Sequence, residues 1–151
     1  MGCCYMWDYA WKYENILEEI YEEFDTYDPF EITRYLDIPI EYRPISQPLA
    51  KTTYLFNQPI IVISDELQNS NSKYFVCAHE LGHIFKHTGI ACAYDDNTHF
   101  RSGMERDANI FGFELCISLY TEEYGEQPEN VYQLSSAYGV PVDFYWSGTM
   151  H

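Results

Sequence analysis

Phe75-Val76-Cys77-Ala78-His79-Glu80-Leu81-Gly82-His83-Ile84-Phe85-Lys86-His87 is the stretch on which the reading of this chain turns. Apolar residues recur along it at helical spacing, and its polar break, Asn69-Ser70-Asn71-Ser72, is suited to cap a helix over about 73–87 that stops near Thr88-Gly89. Four residues make about 1.1 helical turns, so His79 and His83 leave the helix on one face. Their imidazole nitrogens can meet one metal ion at about 2.0–2.1 Å. Glu80 leaves about 100° around from His79, so it flanks such an ion without binding it. There it is a general base for a water whose pKa zinc lowers to about 7. Two histidines at this spacing also occur by chance as ordinary polar residues. The buried character of this helix, in a short chain, favours the metal site.

A catalytic zinc takes three protein ligands and keeps one position open. The candidates for the third are His87, Asp95, Asp96, His99, Glu105 and Asp107. His87 lies about 12 Å along the helix axis from His79, too far for one ion. A metzincin would need glycine at position 86 and histidine at position 89, where this chain has Lys86 and Gly89. Glu105 is the better choice. It falls on a helix expected over about 103–120, with Ala108, Asn109 and Gly112 on the same face. One carboxylate and two small residues suit close packing against the His79 helix. Asp107 falls about 200° around, on the far side. The competing reading is that Glu105 completes a capping box with Ser102. Asn109 is placed to hydrogen-bond the second nitrogen of a zinc-bound histidine.

These two segments carry a resemblance. His79-Glu80-Leu81-Gly82-His83, followed by Glu105-Arg106-Asp107-Ala108-Asn109-Ile110-Phe111-Gly112-Phe113-Glu114-Leu115, resembles the ImmA/IrrE family of bacterial metallopeptidases. That family pairs a His-Glu-x-x-His helix with a downstream Glu-x-x-Ala-Asn-x-Phe-Ala-x-Glu-Leu helix. The resemblance spans Pro29 to about Gly139 and is specific in the two motifs. Gly112 replaces the usual Ala. Ser118 stands where Pro commonly ends the helix, so this helix can run longer. The resemblance implies a zincin-like, gluzincin-like fold, zinc as cofactor and Glu105 as third ligand. It also implies a habitat on phages and mobile elements, and an action on a helix-turn-helix repressor encoded alongside.

Around the motifs, helices precede and follow short strands. An amphipathic helix is expected over about 10–24, with Tyr13, Ile16, Leu17, Ile20, Tyr21 and Phe24 opposite Glu14, Glu18, Glu19 and Glu22. Asp28-Pro29-Phe30-Glu31 reads as a capped helix start running to about Leu36. Ile38–Tyr42, Thr52–Phe56 and Ile60–Ile63 are strand-like, with Asn57-Gln58-Pro59 as a hairpin break between the last two. A loop is expected over about 90–101. A last helix, about 128–138, ends at Gly139, and Val140-Pro141-Val142-Asp143 reads as a possible final turn. Leu134, Ala137 and Gly139 echo a helix-turn-helix spacing, but simple helix packing is the better reading. The expected fold is α+β, a small sheet packed on helices. One metallopeptidase domain covers 1–151, with a catalytic core over about 29–120 and a helical tail over about 128–146.

Composition narrows the function. The 151 residues carry 24 acids against 8 bases, a net charge of −16, which argues against direct binding to nucleic acid or anionic membrane. It permits a basic protein partner. No segment approaches the about 20 apolar residues of a membrane span. Met1–Trp7 has neither a signal peptide's layout nor, with Met6, a myristoylation pattern. The expected compartment is the cytoplasm. The five cysteines, Cys3, Cys4, Cys77, Cys92 and Cys116, follow no framework spacing and read as reduced thiols, with Cys77 in the core. His99 reads as a loop residue able to reach the site, and His151 as a frayed terminus.

Three functions compete. The first is a zinc endopeptidase of narrow specificity, with Glu80 as base and then as proton donor to the leaving nitrogen. The residue completing the oxyanion site is one of the tyrosines or His99. The alternative is a non-catalytic regulatory module that inactivates its partner by sequestration. Structural zinc is the third, and the open fourth position argues against it.

Overall fold

The computed structural model describes residues 14–90 and 98–143, so expectations for residues 1–13, 91–97 and 144–151 lie outside it. Side chains at 14, 15, 87–90 and 98–102 are likewise outside, among them those of His87 and His99. Among the described residues, five α-helices and a three-stranded mixed sheet make the expected α+β fold.

Helix α1, Glu14–Phe24, buries Ile16, Leu17 and Ile20 and turns Glu18, Glu19, Glu22 and Glu23 to solvent. Tyr21 sits at its margin, stacked on Tyr27 at 5.0 Å between ring centroids. Helix α2, Pro29–Tyr35, begins as expected. Asp28 caps it by accepting from the Phe30 N–H at 2.9 Å, and Pro29 needs no donor there. Glu31 pairs with Arg34 on the next turn instead of folding back to the cap.

Strand β1, Ile40–Arg43, runs parallel to β3, Gln58–Ser64, and β2, Ala50–Leu55, runs antiparallel to β3 on its other side. The β2–β3 hairpin is present but its turn is displaced from the expected break. Phe56 and Asn57 form the two-residue loop, at φ +54° and +65°, and Gln58 and Pro59 already belong to β3. Two consecutive positive φ values match the twist of paired strands. Pro59 is accommodated because alternate pairs of an antiparallel ladder exchange no hydrogen bonds, and it faces Tyr54 next to the turn-closing pair. Central strand β3 carries the sheet's core, with Ile61 and Ile63 fully buried.

Helix α3, Lys73–Ile90, continues past Gly89, where the sequence suggests a stop. Helix α4, Thr98–Tyr124, begins a turn earlier than expected and ends later, at Gly125. The lack of proline at Ser118 permits that extension. Helix α5, Val131–Tyr138, starts at Asn130, whose side chain accepts from the N–H groups of Tyr132 and Gln133. It starts later than the expected 128 because this cap fixes the first turn. No helix among the described residues is long and apolar enough to cross a membrane.

Helix α3 is the hub, touched by α4, α5, α2, β2 and β3. Its close approach to α4 depends on two glycines. A Cβ on Gly82 would lie 3.1 Å from the Phe111 ring and 3.2 Å from Ala108 Cα. One on Gly112 would lie 3.2 Å from His79 N. The cost of a mid-helix glycine, about 1 kcal/mol, is offset by contact between helix backbones.

Gly139 ends α5 at φ +78° and packs against the start of α3, where an added Cβ would sit 2.4 Å from Ser72 Cα. Gly125 has the same φ, +79°, with nothing within 4 Å. Gly139→Ala should therefore lower unfolding free energy by about 3 kcal/mol, from backbone strain and overpacking together. Gly125→Ala should cost only about 1 kcal/mol, from strain alone. Urea midpoints of the two variants decide this; equal losses would remove the Ser72 contact from the explanation.

Candidate metal centre

Helix α3 brings His79 and His83 one turn apart on the face turned toward α4. Their Nε2 atoms lie 3.1 Å apart, with the rings nearly perpendicular. Helix α4 carries Glu105 across from them. Its Oε1 lies 3.3 Å from His79 Nε2, and its Oε2 lies 3.1 Å from His83 Nε2. Ligand-capable atoms of these three side chains all fall within 4.8 Å of one another. A tetrahedral ion with bonds of 2.0–2.1 Å spaces its ligand atoms about 3.3 Å apart. The observed separations are of that size, so two imidazoles and a carboxylate fit a divalent metal. Both histidines are mostly buried, while Glu105 is 63 % exposed, which leaves the outer side of the cluster open.

Electrostatics agree with the geometry. Hydrogen bonds from His79 and then His83 hold the Glu105 carboxyl well below the usual carboxylate range, against a smaller opposing effect of burial. Burial pulls His83 down, but the Glu105 hydrogen bond and charge together outweigh it and leave His83 raised.

The capping-box alternative for Glu105 fails on the backbone. Ser102 lies inside α4, which already starts at Thr98, so position 102 is not a helix cap. Asp107 stays out of the cluster, but it does not lie on the far side as expected: its carboxylate pairs with Lys86 of α3 at 2.7 Å, both side chains 13 % exposed. That pair ties α4 to α3 one turn beyond His83. Cys77 is fully buried, and burial pushes its thiol up, in keeping with a core residue.

Glu80 reaches toward the sheet. It is 5 % exposed, and its Oε1 accepts a 2.6 Å hydrogen bond from the Thr52 hydroxyl on β2. His79, Glu80, His83, Glu105 and Asn109 all line one cleft of about 570 Å³. The cleft's other walls are Pro48 to Thr52 and Tyr54 from the β2 side, Phe75 and Val76 from α3, and Met104 from α4. Burial and then the Glu80 charge raise the Tyr54 phenol. Sequence reasoning missed Thr52 and the β2 wall. The available signal was alternation: Ala50, Thr52 and Tyr54 share one strand face, and Ala50 is buried.

Residues 33–144 match the model of a peptidase family described as the IrrE N-terminal-like domain. No curated protein and no solved structure matches the chain.

Proposed function

The chain belongs to the IrrE N-terminal-like peptidase family, a metallopeptidase-type family, and on that premise we propose that it is a zinc-dependent endopeptidase acting on a helix-turn-helix repressor of a phage or mobile element. The observation that carries the reading is the convergence of His79, His83 and Glu105, with a buried carboxylate, Glu80, beside them in the same cleft.

His79, His83 and Glu105 would hold the zinc, and Asn109 would support a histidine ring from behind. Bound there, zinc supplies an acidified water and a polarised carbonyl. Glu80 holds one oxygen against Thr52 and keeps Oε2 for the proton of the attacking water. The same oxygen then delivers that proton to the leaving nitrogen. Tyr54, sharing the cleft, would donate to the oxyanion that develops on the substrate. The apolar walls, Leu49, Phe75, Val76 and Met104, favour a substrate segment with large apolar side chains beside the scissile bond.

The repressor as substrate is supported by the family's motifs and by the −16 charge, which suits encounter with a basic DNA-binding protein in the cytoplasm. Incubating the zinc-loaded chain with the repressor encoded beside its gene should give one cut by mass spectrometry and release of operator DNA. The Glu80→Gln variant should give neither. Release without cleavage would replace catalysis by sequestration, and no effect on either would reject this partner.

A further inference from the structure

We propose that Thr52 is a positioning residue for Glu80, fixing the carboxylate so that a single oxygen is presented to the metal cleft; this rests on the metallopeptidase reading above. An ionised carboxylate has no proton to give, so the Thr52 hydroxyl donates in the 2.6 Å contact. That length belongs to charge-assisted O–H···O⁻ bonds, which are about twice as strong as neutral ones. Glu80 needs such a donor: at 5 % exposure, its charge has lost most of its hydration.

The choice of threonine, and its place, both follow from the fold. Strand β2 carries an adjacent pair at its middle, Thr52 and Thr53. Thr52 turns to α3 and is half-buried, whereas Thr53 lies on the opposite face and is exposed. A β-branched side chain has few χ1 states, so the strand backbone sets the position of Oγ1. The carboxylate at the end of a flexible glutamate thereby takes its plane from a rigid strand. Positioning of this kind acts through orientation, where displacements of about 1 Å cost catalysis heavily. A purely structural role, tying β2 to α3, would show in stability and leave the chemistry of the cleft unchanged.

Acetohydroxamate separates these roles without needing the natural substrate. It chelates the metal and places a protonated oxygen where a correctly set Glu80 carboxylate accepts it. The cobalt-substituted full chain is titrated with acetohydroxamate and followed by its visible absorption. Thr52→Val keeps the side chain's shape but removes the donor. Its dissociation constant should rise about tenfold at unchanged cobalt content, as expected for loss of one charge-assisted hydrogen bond. Thr52→Ser should restore affinity to within about threefold, and Thr53→Val should match wild type. Thr52→Val binding as tightly as wild type, or Thr52→Ser binding as weakly as Thr52→Val, would overturn the Thr52 role alone. A wild-type chain that takes up no cobalt, or a Glu80→Gln variant that binds acetohydroxamate like wild type, would overturn the metallopeptidase reading and the Thr52 role with it.

Discussion

Replacing Glu105 with alanine should cut zinc affinity by at least about 100-fold, because loss of an outer partner of a metal ligand already costs 10–100-fold and Glu105 is proposed as a direct ligand. The carboxylate bridges both imidazoles, at 3.3 and 3.1 Å, and no other ligand-capable acid among the described residues joins the cluster. Removing it leaves two histidines, too few for a catalytic zinc site. The exposure of Glu105 keeps the fold intact, so the loss reads as metal content and not as unfolding. Elemental analysis after dialysis against a weak chelator measures it. Asp107→Ala supplies the contrast: it breaks the partly buried pair with Lys86, so melting temperature should fall while zinc stays. Full zinc retention in Glu105→Ala would remove Glu105 from the ligand set.

Glu80→Gln should keep zinc and lose peptide hydrolysis by about 10³-fold, the usual weight of general acid–base catalysis. Glutamine is isosteric and can still accept from the Thr52 hydroxyl through its amide oxygen, so the cleft keeps its shape. It lacks the basicity to take a proton at the free position. Single-turnover cleavage of the repressor by wild type and variant, at matched zinc content, measures the ratio. Cleavage by the variant at the wild-type rate would remove Glu80 as the base.

Most of this site is legible in local patterns, because helical ligands report their geometry through spacing. His79 and His83 need only the helical repeat to be placed together. Glu105 needs one step more, recognition that Ala108 and Gly112 mark a helix face built for close approach, and the contacts of Gly82 and Gly112 bear that out. Asp28-Pro29 and Gly139 are termini whose chemistry is entirely local, and both stand where the sequence puts them.

What escaped was decided by tertiary context. Ser102-x-x-Glu105 has the form of a helix start, yet α4 begins at Thr98, so the local signal is overridden. The hairpin turn falls on Phe56-Asn57, although proline at 59 draws the break forward, because the ladder has a pair that needs no donor from that residue. Phe56 is a poor residue for a left-handed turn and is 91 % exposed; nothing in the described structure accounts for the choice. Thr52 lies 28 residues before Glu80. Only the packing of β2 on α3 makes them partners, and no spacing rule connects a strand hydroxyl to a helix carboxylate across a hairpin.

X-ray absorption at the zinc edge of the purified full chain tests the metal centre itself. About one zinc per chain is expected, with two imidazoles and light oxygen ligands near 2.0–2.1 Å and no sulfur. The Glu105→Ala protein should lose that signal. A sulfur shell near 2.3 Å would move the metal to the cysteines, and a wild-type chain that holds no zinc would contradict the assignment of His79, His83 and Glu105 as its ligands.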